Sequence, residues 1–174
     1  MKTIFSVLVA ALLLVAPFAE AKTCFGISCN YIDAATNNHF GSGFAYWTTG
    51  GSPAIANPGN CYGSAMAELD NTEYVERSFY VDNAYTSYKV QFRAWLVNDN
   101  DNFYDELKVR VTNNDTGAYE QYTLHGSSYV NQCGNITFNL SNDYDYANVT
   151  VRVSSGNFSI RKWQIDDVSF FATY

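Results

Sequence analysis

The 174-residue sequence is poor in positive charge, and it lacks the common catalytic motifs. Only 10 lysine and arginine residues stand against 17 aspartate and glutamate residues, which gives a net charge of −7. This balance argues against a nucleic-acid partner, because phosphate binding needs clustered Lys and Arg. No Gly-x-Ser-x-Gly elbow, His-Glu-x-x-His motif or phosphate loop occurs, and no spacing marks the carboxylate pair of a glycosidase. The sequence therefore predicts a protein that is not an enzyme.

Long hydrophobic runs are also missing beyond the N-terminus. The one apolar run, residues 4–16, follows Lys2 and precedes the small-x-small triplet Ala19-Glu20-Ala21. It is shorter than the ~20 residues that span a bilayer, so it predicts a signal peptide over residues 1–21 rather than a membrane anchor. We therefore expect residues 22–174 to form one secreted, extracellular domain without a membrane span.

Four cysteines all follow the predicted signal peptide. In an oxidising compartment an even set predicts two disulfides, for which three pairings are possible. We favour Cys24–Cys29 with Cys61–Cys133, because the first pair closes a short local loop and leaves the distant pair to cross-link the fold. A metal site is the competing interpretation, but the spacing is not Cys-x-x-Cys and the chain has only two histidines.

Stretches with helical periodicity are absent, and short alternating segments rich in Tyr, Phe, Val and Thr recur instead. The clearest is 88–97, in which Tyr88, Val90, Phe92, Ala94 and Leu96 alternate with larger or polar residues. Polar turns separate about eight such segments. This pattern predicts an all-β fold, a two-sheet antiparallel β-sandwich of the jelly-roll type.

Five Asn-x-Ser/Thr sequons fall in predicted turns or on predicted solvent faces of strands, so we expect a glycoprotein. They begin at Asn114, Asn135, Asn139, Asn148 and Asn157.

Residues 161–171 predict the closing strand, and one residue there is unusual. Strict alternation places Asp166 on the same face as Val168 and Phe170, with Trp163 and Ile165 on the other face. A carboxylate among core-facing residues must be hydrogen-bonded, paired or bound to a metal. We therefore expect a structural role for Asp166 rather than a catalytic one.

The order of the motifs resembles the galactose-binding-like jelly-roll superfamily, in particular secreted carbohydrate-binding modules and MAM-type adhesion domains. The resemblance covers nearly all of residues 22–174. It rests on an opening Asn37-x-x-Phe40-x-x-Gly43…Trp47-Thr48, a Gly-Ser-Ala-x-Ala-x-Leu strand over 63–69, the strands at 88–95 and 105–111, those at 136–141 and 148–153, and the closing Trp163-x-Ile165-Asp166-Asp167-Val168.

That resemblance implies a structural calcium ion, held between the closing-strand aspartate and oxygens near the opening motif. Asp166 matches the aspartate. Where the carbohydrate modules commonly read Asp-Phe-Glu, this sequence reads His39-Phe40-Gly41, so Asp70, Glu68 or Asp33 would have to supply the other oxygens. The acidic turn 99–106 is a second place for calcium, but a solvated loop is the favoured interpretation because its spacing is not that of an EF-hand.

A carbohydrate site is predicted on the outward face of the strand 88–97. Trp95 would stack on sugar rings, and Arg93 and Lys89 would add hydrogen bonds, unless a second layer or a loop covers that face. The first hypothesis is a secreted, non-catalytic module that binds glycans or glycoproteins in adhesion. The alternative is a self-assembling structural subunit of an extracellular coat, matrix or filament, and a small secreted hydrolase is the weakest of the three.

Overall fold

The structure is a computed structural model that describes residues 22–97, 105–156 and 162–174. The predicted signal peptide, most of the acidic turn and the sequon at Asn157 lie outside the described residues. The described part contains twelve strands and two short 3₁₀ turns, Ala34–Thr36 and Gly126–Ser128, joined by loops. Within these ranges no helix has the length and hydrophobicity that crossing a bilayer would require.

The strands form two sheets, as predicted, and every ladder between the named strands is antiparallel. The seven-stranded sheet contains β1 (Thr23–Phe25), β2 (Ser28–Asn30), β4 (Ala54–Ala56), β5 (Met66–Leu69), β7 (Ser87–Leu96), β10 (Gly134–Leu140) and β12 (Trp163–Thr173). The five-stranded sheet contains β3 (Thr48–Gly50), β6 (Tyr74–Tyr80), β8 (Glu106–Asn113), β9 (Tyr119–His125) and β11 (Asn148–Ser155).

The core lies between the two sheets and follows the predicted alternation closely. On β7 all five apolar residues that alternate from Tyr88 to Leu96 are buried. They belong to the same cluster as Val149, Val151 and Val153 of β11 in the other sheet. Burial of these two facing rows is the main force that holds the sheets together.

The two disulfides have the pairing favoured from the sequence. Cys24–Cys29 closes the β1–β2 hairpin, where the two cysteines are directly opposite each other. Cys61–Cys133 joins the loop before β5 to the residue that precedes β10, with 5.5 Å between the Cα atoms. The second bond therefore connects two distant parts of the seven-stranded sheet.

β12 departs from the predicted alternation at a β-bulge. Its pairing with β7 shifts register between Asp166 and Ser169, and Asp167 has a φ of 51°. One extra residue in a strand reverses the faces of everything that follows. Ile165 before the bulge and Val168 after it both reach the core. The prediction that Asp166 shares the face of Val168 was therefore wrong, because Asp166 lies on the outer side of the sheet.

Candidate functional site

A groove of about 550 Å³ lies on the outer side of the seven-stranded sheet, which we call the groove face. The outer side of the five-stranded sheet is the opposite face. Strands β7, β10 and β12 form the floor of the groove, and the loop between β2 and β3 forms one wall. Its polar lining consists of Asn38, His39, Gln91, Arg93, Asn135, Thr137, Asp167 and Ser169, and Phe171 adds an aromatic ring.

The loop wall is held in place by Asn37, which adopts the left-handed conformation with a φ of 59°. Its buried side chain donates to the carbonyl oxygens of Gly43 and Ala45 and accepts from the N–H of Ser42. The next residue, Asn38, accepts a 3.0 Å hydrogen bond from the backbone N–H of Val168. The opening motif thus docks on the β12 bulge, and this docking places Asn38 at the groove.

Arg93 is held on three sides. Its Nη2 atom forms an ion pair with Asp167 and lies 4.0 Å from Asp166 Oδ2. The guanidinium carbon lies 5.1 Å from the ring centroid of Tyr62, a cation–π distance. Two carboxylates therefore face the one arginine, and this part of the groove has no net positive charge.

Asp166 lies behind the groove and is fully buried. Ser64 Oγ donates a 2.6 Å hydrogen bond to Asp166 Oδ2, whereas Asp166 Oδ1 has no hydrogen-bond partner. Burial raises the pKa of Asp166 above the usual value, although the Ser64 hydrogen bond and the charges of Arg93 and His39 act in the other direction. A structural role for Asp166 stays a prediction.

The aromatic part of the groove is Phe171, which follows the bulge on β12. Lys89 Nζ lies 5.0 Å from the centre of the Phe171 ring, on the strand directly beside it. Nearby, Gln91 Nε2 donates to Thr137 Oγ1 at 3.1 Å across the β7–β10 ladder. An apolar ring next to ordered amide and hydroxyl groups is the usual make-up of a small polar-ligand site.

The three predicted sugar-binding residues are separated in the structure. Arg93 lines the groove, and Lys89 lies at its edge against Phe171. Trp95 is not among the lining residues, because it is opposite Gln164 on β12 at the far end of the sheet. There the N–H and side-chain amide of Asn60 both donate to Gln164 Oε1 at 3.0 Å, so the loop before β5 crosses this end.

The predicted calcium ligands are not gathered around Asp166. Glu68 accepts from Lys162 and Gln164, and these hydrogen bonds outweigh burial, so the pKa of Glu68 lies below its usual value. Asp70 is exposed in the turn after β5, and Asp33 caps the first 3₁₀ turn. Across the described ranges no three His, Cys, Asp or Glu side chains form a group that could hold a metal ion. Calcium therefore stays a prediction.

Several lining residues were missed in the sequence. Gln91 could have been found, because it alternates with Lys89 and Arg93 on β7. Asn135 and Thr137 were recognised as an outward-facing sequon, although their position beside β7 depends on strand order. Phe171 could not have been assigned, because the bulge decides which side of the sheet it faces.

Among known proteins, this chain is similar to others in its fold and not in its sequence. The sequence matches no protein-family model and no curated protein. Among solved structures, TmCBM61 in complex with β-1,4-galactotriose has a TM-score of 0.58 and 18% identity, over 80% of this chain and 98% of that one. The CBM22-1 xylan-binding domain of Paenibacillus barcinonensis Xyn10C has a TM-score of 0.55 and 12% identity, over 78% and 92% of the two chains. The chain has the galactose-binding-like jelly-roll fold.

This jelly roll also occurs in proteins named as enzymes. A cyclase from Fischerella sp. TAU has a TM-score of 0.55 and 13% identity, over 78% of this chain and 94% of that one. Identities this low establish a shared architecture, and one architecture supports many activities. The function of this jelly roll must therefore be argued from its own groove.

Proposed function

We propose that the protein is a secreted, non-catalytic carbohydrate-binding module that holds a neutral glycan along the groove. The observation that carries this proposal is the lining, in which amide, hydroxyl and imidazole groups and the Arg93–Asp167 ion pair share one groove with the ring of Phe171. Sugars present hydroxyl groups that pair with amides, and C–H faces that pack on aromatic rings. The two carbohydrate-binding modules of the same fold, one solved with β-1,4-galactotriose, support this choice of ligand class.

The charges of the groove favour a neutral sugar over an anionic one. Arg93 is the one lysine or arginine among the described lining residues, and it is already paired with Asp167. An anionic sugar would have to compete with Asp167 and would meet the buried charge of Asp166 behind it. A neutral glycan avoids both costs, because it needs only hydrogen bonds and the aromatic contact.

The test is a glycan array followed by calorimetry with the protein produced without glycosylation. We expect Phe171→Ala to weaken binding about tenfold through loss of the aromatic contact. Tyr119→Ala is the matched control, because Tyr119 is an exposed aromatic residue on the opposite face. Trp95→Ala should leave the affinity unchanged, since its ring is outside the groove lining. Circular dichroism would verify that each variant is folded.

A second candidate function is a structural subunit of an extracellular assembly. The observation that favours it is the exposed tip of the β1–β2 hairpin, where Phe25 is 85% and Ile27 is 66% exposed. Exposed apolar residues at a sheet edge are suited to contacts between protein copies. An array without any binding, together with large assemblies in size-exclusion chromatography that Phe25→Ser abolishes, would replace the first proposal with this one.

A further inference from the structure

One predicted glycosylation site lies inside the groove. Asn135 and Thr137, the first and third residues of the same sequon, both line the groove and are both exposed. They belong to β10, which pairs with β7 and with no other described strand. An edge position leaves the side-chain amide of Asn135 accessible from solvent, which a modified asparagine requires.

The other described sequons are placed differently. Asn114 donates to Thr150 Oγ1 at 2.9 Å, and Asn148 donates to Asp115 Oδ1 at 3.0 Å, both near the opposite face. Asn139 is two positions beyond Thr137 on β10 and is not a lining residue. The Asn135 side chain forms no hydrogen bond with any described residue, so its amide nitrogen is available for a covalent bond.

We propose that Asn135 carries an N-linked glycan that occupies the groove of its own chain and competes with external glycans. The inference rests on the proposed function of the groove. The transfer forms a bond between Asn135 Nδ2 and the anomeric carbon of the oligosaccharide. It breaks the bond from that carbon to the pyrophosphate of a lipid-linked donor, and the amide loses one proton.

The geometry leaves the attached sugar little choice of position. Its first residue is bonded to an atom of the groove floor, opposite Arg93 on the neighbouring strand and two residues before Thr137 on β10. The lining that suits an external sugar suits this one equally. A tether of this length gives the attached glycan a millimolar effective concentration, so even a weak intrinsic affinity keeps the groove occupied. An external ligand then sees only the fraction of molecules whose groove is open.

The experiment compares two hosts and two sequences. The native chain and Asn135→Gln are produced in cells that N-glycosylate, and also in a bacterial periplasm that forms disulfides without N-glycosylation. Mass spectrometry measures the occupancy of Asn135, and calorimetry measures affinity for the best array ligand. We expect Asn135→Gln to raise affinity roughly tenfold in the glycosylating host, if the effective concentration is about ten times the Kd of the tethered sugar. In the bacterial host neither chain carries a glycan, so the ratio of the two affinities there gives the effect of the substitution on the groove lining itself, and the tenfold gain is counted relative to that ratio.

Asn148→Gln is the matched control, since it removes a sequon on the opposite side of the sandwich and should leave the affinity for the array ligand unchanged. An unmodified Asn135, or equal affinities in the glycosylating host despite full occupancy, would overturn the inference. If even the unglycosylated chain binds no sugar, the proposed function fails separately. The inference is then decided by NMR, because a glycan in the groove must shift the signals of the His39 ring and the Gln91 amide relative to the native chain from the bacterial host.

Discussion

The groove face and the opposite face follow the same strand alternation and end up with different surfaces. On the opposite face β11 pairs with β6 and β8 in unbroken register, so the polar side chains form a regular array. On the groove face β12 contains a bulge, and the loop after β2 docks on the bulge through Asn38 and Val168. A concave site therefore arises where regular pairing is interrupted and a loop covers the interruption.

The two faces also arrange their arginines differently. Arg93 on the groove face lies between Asp166 and Asp167. On the opposite face Arg110 and Arg152 are directly opposite each other, and like charges in such a pair repel. Arg152 is relieved by an ion pair with Glu76, whereas Arg110 hydrogen-bonds to a neutral glutamine. Arg93 is thus part of a closed network of charges, whereas Arg110 is a surface group without an acidic partner among the described residues.

Removing Cys61–Cys133 should have the largest effect on the groove face. The bond closes a loop with a sequence separation of 72, so the chain-entropy relation gives a loss of about 4 kcal/mol for the double serine variant. The loop before β5 would also lose its attachment to β10. Urea unfolding followed by tryptophan fluorescence measures the change in the free energy of unfolding.

The hairpin disulfide is the internal control for this variant. Cys24–Cys29 has a sequence separation of 5, for which the same relation gives about 2 kcal/mol. A loss that is equal for the two double variants, or larger for the hairpin, would contradict the view that the distant bond supports the groove face.

The two arginine environments predict a smaller and unequal pair of effects. Arg93→Gln leaves the buried carboxylate of Asp166 and the partly exposed carboxylate of Asp167 without their cation, and we expect a loss of about 2 kcal/mol, mostly from Asp166. Arg110→Gln removes a repulsion from Arg152 and should stay within about 0.5 kcal/mol, on the stabilising side. Thermal and urea unfolding measure both. An equal change in the free energy of unfolding for the two variants would contradict the view that the network around Arg93 adds stability.

The regular parts of the sandwich could be predicted from the sequence, because their information is local. The alternation of Tyr88 to Leu96 specifies both the strand and its buried face, and the turn at 113–117 is specified by its own residues. The cysteine pairing followed from loop length alone. These features need no knowledge of what lies across the sheet.

The groove could be predicted only in part, because its formation is non-local. No glycine or proline marks the bulge, and Asp167 adopts a positive φ that aspartate tolerates better than most residues. Without the bulge, Asp166 is assigned to the wrong face and Phe171 cannot be placed beside Lys89. The loop wall depends likewise on a hydrogen bond between Asn38 and Val168, which are 130 positions apart.

The smallest predicted effect concerns how stability depends on pH. It compares one carboxylate near the groove face with one near the opposite face. Burial raises the pKa of Asp166 in the folded state, while hydrogen bonds from Asn148 lower the pKa of Asp115. A raised pKa contributes stability that is present below the unfolded value, near pH 3.9, and is lost as the pH rises through the folded value. A lowered pKa contributes stability that is present above the unfolded value and is lost as the pH falls.

Asp166→Asn and Asp115→Asn should therefore diverge when each is measured against the native protein. From about pH 4 upward, the unfolding free energy of Asp166→Asn should rise relative to the native chain, because the buried charge no longer forms. Relative to the native chain, Asp115→Asn should be least affected at the lowest pH and should lose stability as the pH rises through the acidic range. Urea unfolding across the acidic range gives both curves. Parallel curves would mean that Asp166 is solvated, which its complete burial and its one hydrogen bond from Ser64 contradict.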